Sequence, residues 1–132
     1  MPKSSSLQQF DDPSSIGPAM QFWVPAGTHN MPATIPGSSQ VTSALIVTGG
    51  YGLIGAAVTS SQAGAIKIQP FLDDGGTMAL PLITQALTAG AMAVVTNASS
   101  APVPFQSVQI IITNSSASLA NLSGFGLLLQ AR

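Results

Sequence analysis

The sequence predicts an all-β fold, a jelly roll or β-sandwich preceded by an extended N-terminal arm. Three observations carry that expectation. From about Val41 onward, short apolar runs alternate with clusters of turn residues. The helix formers Glu and Lys are nearly absent, which disfavours long surface helices. Six of the ten prolines fall within residues 1–40, where neither a helical nor an alternating period is visible.

The chain therefore divides into an arm, residues 1–40, and a β-sandwich domain, residues 41–132. Proline fixes φ and removes a backbone donor, so the arm reads as extended. It carries Phe10, Met20, Phe22, Trp23 and Val24. Apolar side chains on an extended segment suggest anchors that dock onto a surface. Phe22 and Trp23 fit two roles equally, a plug on the module itself or an anchor in a neighbour's pocket. Asp11-Asp12 precedes Pro13 and marks a solvated bend.

The expected strands are 41–48, 51–59, 64–72, 77–87, 90–97, 105–113 and 122–130. Ile66-Lys67-Ile68-Gln69 alternates, with the isoleucines inward. So does Val108-Gln109-Ile110-Ile111-Ile112-Thr113. In the last strand Phe125, Leu127 and Leu129 share a face, opposite Gly124 and Gly126. The separators are Gly49-Gly50, Asp73-Asp74-Gly75-Gly76, Asn97-Ala98-Ser99-Ser100 and Asn114-Ser115-Ser116. Exposed strand edges need charge, proline or bulges to avoid unwanted pairing. Lys67 is the one lysine within a strand, and Pro70 and Pro81 are each placed to guard an edge. The remaining edges should be paired, internally or with another chain.

Charge is scarce. The chain of 132 residues has 3 Lys plus Arg, 4 Asp plus Glu and 1 His, for a net charge of −1. Ser, Thr, Gly and Pro fill the polar positions. So uncharged a surface suggests that partners cover much of it. Electrostatic nucleic-acid binding is not expected, because phosphate contacts need clustered cations. No membrane span is expected, since Pro, Gly and Ser interrupt every apolar run. The N-terminal Met1-Pro2-Lys3-Ser4-Ser5-Ser6 lacks the apolar core of a signal peptide. There is no cysteine, so thiolate metal sites and disulfides are excluded.

One motif looks chemical. Ala44-Leu45-Ile46-Val47-Thr48-Gly49-Gly50-Tyr51-Gly52-Leu53-Ile54-Gly55 resembles the TGGxGxxG fingerprint of extended short-chain dehydrogenases, in which a strand runs into a phosphate-binding helix N-terminus. Asp73, 18 residues beyond Gly55, stands near the place of the ribose-binding acid. The following segment lacks Glu, Lys and Arg and contains Thr59-Ser60-Ser61. Pro70 interrupts the second strand, which a central strand should not tolerate. Only 58 residues follow Asp74, and Tyr51 is the sole tyrosine, so the Tyr-x-x-x-Lys pair is missing. Two strands joined by a Gly-Gly turn are expected instead, and an NAD-binding fragment is the remote alternative.

No other constellation supports catalysis, and the chain is not expected to be an enzyme or to hold a cofactor or metal. His29 has no acid or cysteine beside it in sequence. A Ser-His-Asp triad could be drawn from His29, Asp73 or Asp74 and one of 17 serines, but no Gly-x-Ser-x-Gly elbow accompanies it. Asp73-Asp74 offers too few oxygens for a calcium cage. Asn97-Ala98-Ser99 fits the glycosylation sequon without a secretory signal.

Several stretches resemble a known family. They are Thr59 to Gly64, Ile66 to Asp73, Pro104 to Ile110, Ile112-Thr113-Asn114 and Leu127-Leu128-Leu129. Residues 42–130 resemble the jelly-roll cement, or decoration, proteins that coat tailed-bacteriophage capsids. The resemblance implies a virion structural protein on the capsid outer surface. It also implies the major capsid protein and further copies of the chain, as a dimer or trimer, as partners. It transfers no catalytic residue and does not cover the arm. A tail or head-fibre component would share this Ser/Thr-rich β composition.

Overall fold

The structure, a computed structural model, describes residues 21–48, 53–97 and 105–130. Phe10 and Met20 lie outside the described residues, as do Gly49-Gly50 and the rest of residues 49–52.

Among the described residues, ten strands and one short helix make two antiparallel sheets packed face to face. The first sheet contains β1 (Gln21–Trp23), β2 (Thr34–Ile35), β10 (Ala120–Gln130), β5 (Leu53–Ser60) and β8 (Met92–Thr96). The second contains β3 (Gln40–Thr42), β4 (Ile46–Val47), β9 (Ser107–Asn114), β6 (Gly64–Phe71) and β7 (Ile83–Leu87). Helix α1 (Ala26–His29) is a single turn between β1 and β2. The pieces β1 and β2 share β10 as partner, and β3 and β4 share β9. Merging each pair leaves eight strand positions, ordered one-eight-three-six in one sheet and two-seven-four-five in the other. This is the strand order of a jelly roll.

Period-two alternation builds the core. Ile54, Ala56 and Val58 of β5, Val95 of β8, and Leu127 and Leu129 of β10 point inward from one sheet. Ile66 and Ile68 of β6 and Val108, Ile110 and Ile112 of β9 meet them from the other. β-branched side chains fit a pleated surface, and each buried aliphatic contributes about 1.5–3 kcal/mol. Phe105 and Ile35 complete the core at its margins.

The described part of the expected arm, residues 21–40, supplies the first strand position of the roll. Val24 is buried and donates its N–H to the Leu127 carbonyl at 2.9 Å. Ile35 is fully buried opposite Ala120. Pro25 and Pro32 confine the pairing to two short pieces rather than preventing it, because the open edge of β10 offers main-chain partners.

Three further differences from expectation have local causes. The expected strand 41–48 breaks at Ser43, whose Oγ accepts the Ile110 N–H at 2.9 Å while its own N–H bonds the Ile110 carbonyl. A hydroxyl there replaces a ladder acceptor. The expected strand 77–87 is regular only over β7. Residues 78–80 instead follow β6 through Leu72 N–H to Met78 C=O and Leu80 N–H to Pro70 C=O. Finally, β6 is an interior strand although it contains Pro70, which is buried opposite Val108. Its carbonyl and nitrogen both face Leu80, whose N–H bonds the Pro70 carbonyl and whose own carbonyl accepts the Gln69 Nε2–H at 2.7 Å, so a side-chain amide supplies the bond that the proline cannot.

Where the fingerprint requires a helix, residues 53–60 form strand β5. A dinucleotide fingerprint needs a helix N-terminus at that point. β4 and β5, on either side of residues 49–52, belong to different sheets, so they are not paired as a hairpin.

Register gives the roll two distinct ends. One holds the turns 36–39, 61–63, 88–91 and 115–119. The other holds Gln21, Gln130, the 72–82 loop, Thr48 and Phe105.

Candidate interaction face

The five residues expected as anchors separate. Val24 belongs to the core. Phe22 pairs with Leu129, whose side chain points inward, so Phe22 flanks the core at the sheet edge and stays partly exposed. Trp23 pairs with Leu128 and points outward, 65% exposed. Phe10 and Met20 lie outside the described residues.

Trp23 opens a continuous surface. Across the outer face of the first sheet, Trp23, Leu128, Gly55 and Thr96 form one row. Gly126, Ala57 and Val94 form the next, and Thr59 and Met92 follow. Val94 is 55% and Met92 68% exposed. The Trp23 ring leans over Gly126 so closely that an added Cβ would meet it at 3.4 Å. Small residues thus floor a shallow trough with Trp23 on one rim and the β8 side chains on the other. None of these residues is charged.

The outer face of the second sheet differs. Its central row is Thr42, Ile111, Lys67 and Thr84, flanked by Gln69 and Gln109. Lys67, Asp73 and Asp74 are the only charged side chains among the described residues, and none lies on the Trp23 face.

Four strands about 4.8 Å apart and three rows two residues apart give a face of roughly 300 Å². A stable interface takes about 800 Å² per partner. The Trp23 face can therefore act as one contact among several. β8 lies at the end of its sheet and carries neither lysine nor proline, so it leaves an unguarded main-chain edge beside that face.

The titratable groups are engaged structurally. The His29 ring is buried edge-on to Phe125 at 4.7 Å, and its Nδ1 accepts the Met31 N–H at 3.0 Å. Burial pushes its pKa below the ordinary 6.5. Asp73 folds the 72–82 loop around its carboxylate, which accepts the Thr77 hydroxyl and the Thr77 and Met78 N–H groups. These bonds, led by the Thr77 hydroxyl, lower its pKa. Among the described residues no hydrogen bond joins His29 to an aspartate or serine side chain, and no three or more His, Asp or Glu cluster as metal ligands. No helix among them is long and apolar enough to cross a membrane. Asn97 is buried with its Oδ1 accepting the Ile54 N–H at 3.0 Å, so its carboxamide is not presented for glycosylation.

Sequence reading missed Met92 and Val94. The signal was present, because Ala91 to Val95 is apolar at every position. A strand apolar at every position is apolar on both faces, and here the Met92 and Val94 face is open to solvent. No protein-family model matches the chain, and no curated protein is significantly similar to it.

Proposed function

We propose that the chain is a virion structural protein, a decoration protein that binds the capsid outer surface and stabilises the shell by bridging capsomers. The observation that carries this reading is the uncharged outer face of the first sheet, with Trp23, Val94 and Met92 raised over a floor of Gly55, Ala57 and Gly126. A jelly roll hosts many functions, so the fold alone decides nothing. An apolar face with no counter-charge suits a partner surface and offers little to an ionic ligand. The resemblance over residues 42–130 supplies the identity of that partner, the major capsid protein.

The mechanism is linkage. A protein that binds the assembled shell, but not dissociated subunits, shifts the equilibrium toward the shell. A face of this area holds weakly alone. Many symmetry-related copies and contacts between copies add avidity. Co-sedimentation with purified heads that lack the protein tests the proposal. Saturation at a fixed ratio to the shell subunit is expected. Absence of binding would reject it, and a few copies per particle would favour a tail or head-fibre component instead.

A further inference from the structure

The end of the roll away from Gln21 and Gln130 carries a second surface of different chemistry. A shallow, solvent-open depression of about 340 Å³ lies there between the β2–β3 turn and the end of β9. It is lined by Ser38, Ser39, Gln40, Thr113, Asn114 and Ser115.

The hydrogen-bond inventory defines what could enter. Ser39 Oγ donates to Gly37 C=O, Thr113 Oγ1 to Ala65 C=O and Ser115 Oγ to Ala63 C=O. Each hydroxyl hydrogen is thus spent internally, and each oxygen keeps acceptor capacity. Asn114 is buried and satisfied, donating to the Ile35, Pro36 and Ser118 carbonyls and accepting the Ser116 N–H. It shapes the wall without offering itself. Among the described residues the Ser38 hydroxyl and the Gln40 carboxamide have no side-chain partner, so both can donate and accept. Ser38 also holds φ at 55°, where non-glycine residues seldom sit, and its N–H is tied to Ser116 C=O at 2.7 Å. The geometry is fixed in advance of any ligand.

No cation lines the depression, which disfavours phosphates and carboxylates. No large apolar side chain lines it, which disfavours lipophilic ligands. Acceptor oxygens beside a two-way amide and a two-way hydroxyl match a ligand whose own groups are hydroxyls. We propose that this depression is a subsite for a neutral sugar, one residue of a glycan. The proposal does not depend on the capsid reading, since it uses the opposite end of the roll. Without an aromatic platform for the sugar ring, affinity falls in the millimolar range, the weak end of specific binding.

The test is a two-dimensional NMR titration of the full-length protein with glucose, galactose, mannose and N-acetylglucosamine, and with inorganic phosphate as the charged probe. At least one sugar should give saturable shifts of the Gln40 side-chain amide and of the Ser38, Ser39 and Ser115 backbone amides. Gln40→Ala should weaken that binding about tenfold, the effect of one lost hydrogen bond. Gln40 is exposed, and unchanged signals elsewhere in the spectrum will show that the variant is folded. Shifts confined to other regions, equal shifts with phosphate, no shift with any of the four sugars, or unaltered binding by Gln40→Ala would each overturn the proposal.

Discussion

Trp23 and Val24 are sequence neighbours with opposite fates, and the difference is one step of strand alternation. Trp23 points to solvent and Val24 to the core. Trp23→Ala should lower occupancy on particles about tenfold or more, as loss of a buried aromatic anchor does. The melting temperature of the free protein should stay within a few degrees. Val24→Ala should do the reverse, lowering stability by about 1–3 kcal/mol in chemical denaturation. Phe22 stands between them, so an effect of Phe22→Ala on occupancy must be corrected for lost stability.

His29 makes stability depend on pH. Its folded pKa lies below the ordinary 6.5 because the buried ring resists protonation. As pH falls through about 6.5 the unfolded chain takes up a proton that the folded chain refuses, so stability declines toward the folded pKa. Above that window the contribution is complete. Denaturant midpoints measured from pH 8 to pH 5 should fall, and His29→Gln should flatten the slope over that window. Asp73 acts in the same direction at lower pH. Its folded pKa lies below 3.8, and its contribution is lost as pH drops through the folded value.

At the scale of elements, the turns are as specified as the strands. Gly64 opens β6 so close to β9 that a Cβ would overlap the Thr113 carbonyl. Gly64→Ala must displace main chain and should destabilise the roll or disrupt the β6–β9 register, visible as lost amide protection along both strands. Asn114 ties the β9–β10 turn to residues 35 and 36 by donating to the Ile35 and Pro36 carbonyls, and closes the turn by donating to the Ser118 carbonyl. Asn114→Ala leaves buried carbonyls unsatisfied and should cost about 2–3 kcal/mol. Gly124, with φ 64°, lies in the interruption of the β10–β5 ladder between Ser123 and Gly126. There a left-handed residue lets the longest strand bend.

The same elements show what was legible in the sequence. Strands β5, β6, β9 and β10 were, because Ile66, Ile68, Ile110 and Leu127 alternate with non-core positions and turn residues bracket each run. The first strand position was not. Gln21–Trp23 and Thr34–Ile35 are too short to show a period, and their pairing is set by distant β10. Pro70 misled for a related reason, since whether a proline disturbs a ladder depends on the neighbour its nitrogen faces. Of the interaction face, Trp23 was legible as an unusual aromatic. Gly55, Ala57 and Gly126 were not, because their role comes only from register across three strands.

At the scale of the molecule, one outer face carries no charge among the described residues, and the two ends of the roll differ. Leu72, Met78 and Leu82 are exposed on the loop side near Asp73. The opposite end is rich in serine. If the apolar face and loop end contact the shell, attachment should persist in molar salt, because apolar and main-chain contacts are little screened while exposed ion pairs weaken. Pelleting of decorated particles across a salt series will show it.

The most direct measurement is co-sedimentation of the wild-type protein and of Trp23→Ala with purified heads lacking the protein, with copies counted per shell subunit. Saturable wild-type binding at a fixed stoichiometry, lost or much weakened in a folded Trp23→Ala variant, is the predicted result. Equal binding by both proteins would contradict the role of the Trp23 face, and no wild-type binding at all would contradict the decoration function.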